Sequence, residues 1–281
     1  MDSPSPPLPR FVVIGAQKSA TRWLRQNLGE HPDIFTPPSE VHFWNVEFRV
    51  RKLGLDWYRE QFHGWDGEAI VGEATPGYMI WRHDPATVAA RIKELCPDIR
   101  LVAMLRNPID RANSAMVHHI RKGRLPADSR LVDVVRARTP PEKDRLCLVA
   151  GGWYAASLEP FLDAFGDGLL LLWHDDIATD PVGVYEAALR HIGASPDFRP
   201  AELSKVIFSN RNPKAGPFYE LTHDDRLEMW EYFRDDVARL EQMLDVDLSR
   251  WEPRRTGKDR GRAASIAGAR SRWWARGRSA P

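Results

Sequence analysis

Three groups of residues have types and spacings that could do chemistry. The first is Lys18–Ser19–Ala20–Thr21, directly after the apolar run Phe11–Ile14 and Gly15. A lysine among small residues, between a strand and a helix, makes a cradle for an anion. Main-chain N–H groups and the positive helix end face the ligand, and the lysine adds a mobile charge. The second is Arg106 with Ser114, eight residues apart. A guanidinium at a strand end and a hydroxyl two turns into the next helix could share one phosphate. The third is Glu40 with His42, in the string SEVHFWN. Apolar neighbours would desolvate the carboxylate and raise its proton affinity, which suits a general base. On the residues alone, a surface glutamate and a core histidine fit that string too.

The elements that must position these groups are legible in outline. Phe11–Ile14 reads as a buried strand, with a helix from Thr21 to about Glu30, since Trp23, Leu24 and Leu28 recur at helical spacing. Pro32 stops that helix, and a loop broken by Pro37 and Pro38 carries Glu40. Residues 48–68, with Trp57, Tyr58, Phe62 and Trp65, read as a helix and loop that partly cover the cleft. Ile70–Glu73 is a second short strand. Asp84 and Pro85 start a helix that ends near Cys96. Ile99–Leu105 is a buried parallel strand that delivers Arg106 at its carboxyl end, where α/β sheets bind ligands. Helices follow over about 110–122, up to Gly166, and over 181–193. Leu169–Trp173 is a further strand. Residues 124–150 carry no clear period. Thr222 with Asp225 forms a capping-box-like start to a long amphipathic helix that runs to about Leu244. The fold class is α/β, a P-loop-like parallel sheet of four or more strands flanked by helices in a single domain.

The loop is not a Walker A motif, because Gln17 stands where that motif needs glycine before the lysine. GAQKSATRWL instead resembles the 5′-phosphosulfate loop of sulfotransferases that use 3′-phosphoadenosine 5′-phosphosulfate (PAPS), with Ala20 in place of a glycine. SEVHFWN resembles the EVHFF-type stretch of heparan sulfate 3-O-sulfotransferases. GEATPGYM resembles their E-K-S-P-x-Y element, with Ala74 where they have a lysine that serves an acidic sugar chain. LRNPIDRANSAM resembles the sulfotransferase 3′-phosphate motif R-x-P-x-x-R-x-x-S. HDDI after Trp173 resembles their YEDL, and SNRNPKAGPF stands where they carry a basic cofactor loop. LEQMLDVDLSRW resembles the end of bacterial members, so the likeness covers Phe11 to Trp251.

The resemblance implies a PAPS-dependent sulfotransferase that passes a sulfuryl group to a hydroxyl of a sugar, lipid or small molecule. It makes Glu40 the base, with His42 in support and Lys18 stabilising the leaving phosphate. It places the 5′-phosphate on Lys18, Ser19, Ala20, Thr21 and Arg22, the 3′-phosphate on Arg106 and Ser114, and a further contact at Lys214. No metal is implied, and Ala74 argues against a glycosaminoglycan acceptor. Two alternatives remain: a P-loop kinase that uses Lys18 with Asp175 or Asp176 and ATP–magnesium, and a non-catalytic nucleotide- or membrane-surface-binding protein.

Composition frames these readings. The chain has 281 residues, is 43% hydrophobic and carries a net charge of +1. That suits a globular protein rather than a disordered one. Two cysteines, Cys96 and Cys147, cannot build a disulfide framework, and no apolar run is long enough to span a bilayer. A cytoplasmic enzyme without a signal peptide is the expectation. From Arg254 to the end, nine Arg or Lys face one acidic residue, Asp259. That basic tail with Trp273 and Trp274 could touch an anionic membrane surface, with no specific nucleic acid expected. The expected division is a mobile leader over 1–9, a sulfotransferase domain over 10–253 and a flexible tail over 254–281.

Overall fold

The computed structural model describes residues 6–80, 84–138, 144–201, 203 and 220–254. Lys214 and residues 255–281 lie outside them. The chain divides into two units, Met1–Asn107 with Tyr154–Lys214, and Pro108–Trp153 with Ala215–Pro281.

The first unit is built on a five-stranded parallel sheet: β1 (Phe11–Gly15), β2 (Ile34–Phe35), β3 (Ile70–Ala74), β4 (Arg100–Leu105) and β5 (Leu169–Trp173). The order is β2-β3-β1-β4-β5. All four pairings are parallel, with Val12 opposite Glu73 and Leu101, and Ala103 opposite Leu171. Unbroken apolar runs are what strands buried on both faces require. The expected strands at 11, 70, 99 and 169 are all present. Edge strand β2, inside what reads as a loop, is the addition. Two residues are too few to show a period, and Ile34–Phe35 is a strand only because Ile70 and Val71 pair with it.

Helices α1 (Thr21–Leu28), α2 (Gly54–Glu60), α3 (Pro85–Leu95), α6 (Tyr154–Phe165) and α7 (Pro181–Ile192) belong to this unit. Phe11, Val13, Val102 and Met104 bury one sheet face against Trp23, Leu24 and Leu28 of α1 and against Val184, Ala188, Leu189 and Ile192 of α7. The alternate residues Val12, Leu101 and Ala103 point to the opposite face by the period of a strand. Helices α3 and α6 pack against each other. Asp84 does precede α3, but its side chain makes no cap bond to the helix backbone; it accepts the Thr87 hydroxyl.

The second unit contains α4 (Pro108–Arg121), α5 (Leu131–Arg138), α8 (His223–Trp230) and α9 (Arg234–Leu244). Helix α5 lies in the stretch without clear period. Its β-branched run, Val132, Val134 and Val135, masks a helix that is held by packing and by the Arg136–Glu228 and Arg130–Asp225 ion pairs. The expected long helix after Thr222 is two helices. The capping box of Thr222 and Asp225 is present, but Glu231, Tyr232 and Phe233 donate to carbonyls three residues back rather than four. That tightened turn leaves the Tyr232 carbonyl to the Trp153 indole N–H, 3.0 Å away. Phe233 closes over Gly152, where a Cβ would lie 2.8 Å from its ring. Tertiary partners overrode a continuous helical period.

Candidate active site

The strand order places a switch point at the centre of the first unit. The chain leaves β1 toward the β2 edge and leaves β4 toward the β5 edge, so the crevice lies at the carboxyl ends of β1 and β4. Both expected anion-binding elements of this unit end there. Loop 16–20 follows β1, and Arg106 follows β4 and donates to the Lys18 carbonyl at 3.1 Å. The Arg106 carbonyl in turn accepts the Tyr154 hydroxyl at 2.8 Å. Gly15 makes room at the strand end, since a Cβ there would sit 2.1 Å from the Met79 side chain.

Within the loop, Lys18 and Ala20 take left-handed φ values of 72° and 68°. Such alternation turns successive N–H groups toward one side. Position 20, where related loops carry glycine, is a backbone site that glycine occupies without strain and alanine does not. Among the described residues, the N-terminus of α1 has no side-chain cap, and its first turn holds no acidic residue, so anionic groups are favoured beside it. Ser19 is fully buried, and its Oγ has no hydrogen-bond partner among the described residues. The Ser19 amide already donates to Ala16 O at 3.2 Å, so of the expected amides Ser19–Arg22 this one is engaged inside the loop.

A cleft of about 270 Å³ opens beside this helix start, walled by Thr21, Arg22, Arg25, Pro38, Ser39, Glu40, Ala74 and Pro76. It is smaller than the ~300–1,000 Å³ usual for drug-sized ligands, so it suits the reacting end of a substrate rather than a whole nucleotide. Two guanidiniums against one carboxylate make it anion-favouring. Burial, and then the neighbouring charge of Arg22, lower the Arg25 guanidinium pKa, while Glu40 raises it. Lys18, Ser19, Ala20 and His42 adjoin the cleft in sequence but are not in its wall.

Glu40 pairs with His42, Nε2 to Oε2 at 3.0 Å, with side chains 48% and 40% exposed. This corrects the expectation of a carboxylate enclosed by apolar neighbours. Val41, Phe43 and Trp44 are buried, but they turn into the core while Glu40 turns to the cleft and solvent. Asn45 Nδ2 lies 3.4 Å from His42 Nδ1. With the amide in this orientation, Nδ1 accepts from Asn45 and Nε2 faces Glu40 as a donor. The aromatic stretch after residue 48 does not line the cleft either. Tyr58 and Phe62 are buried, and Tyr58 stacks on Phe43 at 4.5 Å between ring centroids.

Helix α4, in the second unit, carries Ser114 in its second turn, as expected. Arg111 of the same motif is fully buried there and donates to the Cys147 carbonyl at 2.9 Å and to that of Leu148. Asp175 and Asp176 follow β5 in a 3-10 turn, with Asp175 3.6 Å from His174. Among the described residues there is no group of three or more His, Cys, Asp or Glu that could hold a metal ion. Sequence reasoning missed Glu73, a fully buried carboxylate at the end of β3. The signal for it was an acidic residue in a run that was otherwise wholly apolar or small.

Comparison with known proteins places the fold and the family. A model of the sulfotransferase family matches residues 9–197. Heparan sulfate glucosamine 3-O-sulfotransferase 3A1 of Mus musculus is 31% identical over 186 residues, covering 65% of this chain and 45% of the relative. Bifunctional heparan sulfate N-deacetylase/N-sulfotransferase 3 of Homo sapiens is 28% identical over 269 residues, covering 84% of this chain and 30% of the relative. The chain thus spans less than half the length of these two curated relatives. The crystal structure of a sulfotransferase from Alicyclobacillus acidocaldarius matches with a TM-score of 0.72 and 30% identity, covering 87% of this chain and 99% of that one. With a matched family model over most of its length and that fold around its lysine loop, the chain belongs to the sulfotransferase family.

Proposed function

We propose that this chain transfers a sulfuryl group from PAPS to a hydroxyl of an acceptor. The observation that carries the reading is that Glu40 shares one cleft wall with Thr21 and Arg22, the first two residues of the helix behind the lysine loop. A helix start without a side-chain cap and a buried Ser19 Oγ without a partner, both among the described residues, fit an anionic phosphosulfate. Bound there, PAPS would supply a sulfuryl group joined to a phosphate oxygen.

The chain's own residues then have distinct tasks. The N–H groups at the start of α1 and the Lys18 ammonium hold the 5′-phosphate and neutralise charge that grows on it. The resemblance of the motif from Arg106 to Ser114 assigns those two residues to the 3′-phosphate, and that of the later basic loop assigns Lys214 a supporting contact. Arg22 and Arg25 favour negative charge in the cleft. Glu40 accepts the acceptor hydroxyl proton on Oε1, because Oε2 is held by His42. His42 keeps Glu40 in place and donates rather than competes for the proton. As in phosphoryl transfer, positioning and charge stabilisation carry the rate. The acceptor class stays broad: a sugar, lipid or small-molecule hydroxyl, or an amine, as one relative's name would suggest.

The test is incubation with radiolabelled PAPS and a panel of hydroxyl and amine compounds, followed by mass spectrometry. Label on an acceptor, with release of 3′-phosphoadenosine 5′-phosphate, is the expected result. A chain that moves no label and is stabilised by ATP–magnesium but not by that bisphosphate overturns the reading in favour of a kinase.

A further inference from the structure

Glu73 is the hub of a hydrogen-bond tree that ends on the segment after Glu40. Its Oε2 accepts the Thr75 hydroxyl at 2.6 Å. Its Oε1 accepts the hydroxyls of Tyr58 and Tyr78, each at 2.7 Å. Each hydroxyl has one proton and spends it on Glu73, so what it offers elsewhere is lone pairs. Those lone pairs are taken by successive residues of one segment. Thr75 Oγ1 accepts the amides of Val41 at 3.0 Å and His42 at 3.3 Å. The Tyr78 hydroxyl accepts the amide of Phe43 at 3.0 Å, and the Tyr58 hydroxyl accepts the Trp44 indole N–H at 3.2 Å. All four residues that follow Glu40 are therefore tied, through one hydroxyl each, to the same carboxylate. Burial and the partnership with Glu73 hold both tyrosine pKa values well above the usual range, so the hydroxyls keep their protons.

The opposite edge of the segment is fixed as well. The Arg49 guanidinium donates to the carbonyls of Val41 and His42. His42 is held at a φ of 53°, a left-handed backbone uncommon for a residue other than glycine, asparagine, aspartate or histidine. Glu40 itself is half-exposed, and its side chain pairs with His42. Its aim into the cleft is therefore set by the backbone that follows it.

We propose that Glu73 is the positioning residue of this site. It touches no reacting atom and acts through Thr75, Tyr78 and Tyr58 to fix the backbone that points Glu40. Burial raises the Glu73 pKa and the hydroxyls of Thr75, Tyr58 and Tyr78 work against that rise; an ionised carboxylate is needed at position 73 because it alone accepts three hydroxyl protons while carrying none. Glutamine would set an N–H against one of the hydroxyls and reverse a branch of the tree. This inference rests on the assignment of Glu40 as the base.

Thr75→Val and Thr75→Ser test it, with Glu40→Gln as reference. Three quantities are measured: hydrolysis of radiolabelled PAPS, with water standing in for the acceptor; binding of 3′-phosphoadenosine 5′-phosphate by calorimetry; and hydrogen exchange of the Val41 and His42 amides. Thr75→Val is expected to lower turnover roughly 10- to 100-fold and to speed exchange at both amides by at least about tenfold, as loss of a hydrogen bond to a charged hub implies. Bisphosphate affinity is expected to stay within about twofold, because the loop and α1 are untouched, and Thr75→Ser is expected to restore both losses. Faster exchange with unchanged turnover overturns the proposal, and so does slower turnover with unchanged exchange. If Glu40→Gln keeps wild-type turnover, the base assignment fails instead, whatever Thr75→Val does. Should Thr75→Val not fold, Tyr78→Phe, which keeps the ring, makes the same test at the Phe43 amide.

Discussion

Replacing His42 by asparagine separates the two candidates for the proton-accepting group. The variant is chosen from the backbone. At a φ of 53°, asparagine is among the few residues that adopt the left-handed region at little cost. The main-chain bonds of residue 42 to Thr75 and Arg49 do not involve the imidazole and survive. What is lost is the 3.0 Å contact with Glu40 and the long contact with Asn45. Both partners of the Glu40 pair are nearly half-exposed, so solvent screens it and it is worth about 0.2–1 kcal/mol. The melting temperature should fall by about 1–3 °C. If His42 only holds Glu40, the same energy bounds the catalytic loss at about fivefold. Thermal denaturation and PAPS turnover, with and without acceptor, provide the assay. A loss of turnover beyond about 100-fold at near-normal stability would refute the reasoning and move the proton transfer to His42.

Other expectations concern the frame around the site. His191 sits between the Leu101 and Gly168 carbonyls, 3.0 and 3.2 Å from Nε2, and burial lowers its pKa below the usual 6.5. The unfolded chain then takes up a proton before the folded one as pH falls, so stability is lost below about pH 6.5. Denaturant midpoints at pH 7 and pH 5 should show that loss in the wild type and less of it in His191→Gln; an equal loss in both rules the group out. Burial pushes the Cys96 thiol up to about 11. At pH 8 a disulfide reagent should therefore leave Cys96 unmodified in the native protein and label it after unfolding. Thr222→Ala removes the side-chain half of the capping box of α8 and should cost about 1 kcal/mol in denaturant unfolding, and no measurable change would dismiss the cap.

The parts of this fold that were legible in the sequence are those whose signal is local and repeated. Phe11–Gly15, Leu101–Leu105 and Leu169–Trp173 are unbroken apolar runs, and Val184, Ala188, Leu189 and Ile192 recur at helical spacing and are all buried. The lysine loop was legible because a strand, small residues and a helix leave few other geometries. What was not legible depends on distant partners. Ile34–Phe35 becomes a strand through Ile70 and Val71, and the helix break at Glu231–Phe233 answers to Gly152 and Trp153. The surroundings of Glu40 were misjudged for a related reason. A string of apolar neighbours does not say which side of the backbone each occupies, and here the apolar side chains face the core while the carboxylate faces the cleft. Glu73 could be seen in the sequence, but not its three hydroxyl partners, one of which comes from fifteen residues upstream.

The account depends most on Glu40 as the group that receives the acceptor proton beside a donor held by the lysine loop. Glu40→Gln, measured by calorimetry with 3′-phosphoadenosine 5′-phosphate and by turnover of labelled PAPS, tests that dependence most directly. The expected result is bisphosphate affinity within about twofold of wild type with turnover lower by roughly 10²- to 10⁴-fold. Turnover near that of the wild type, or a matching loss of bisphosphate binding, contradicts it.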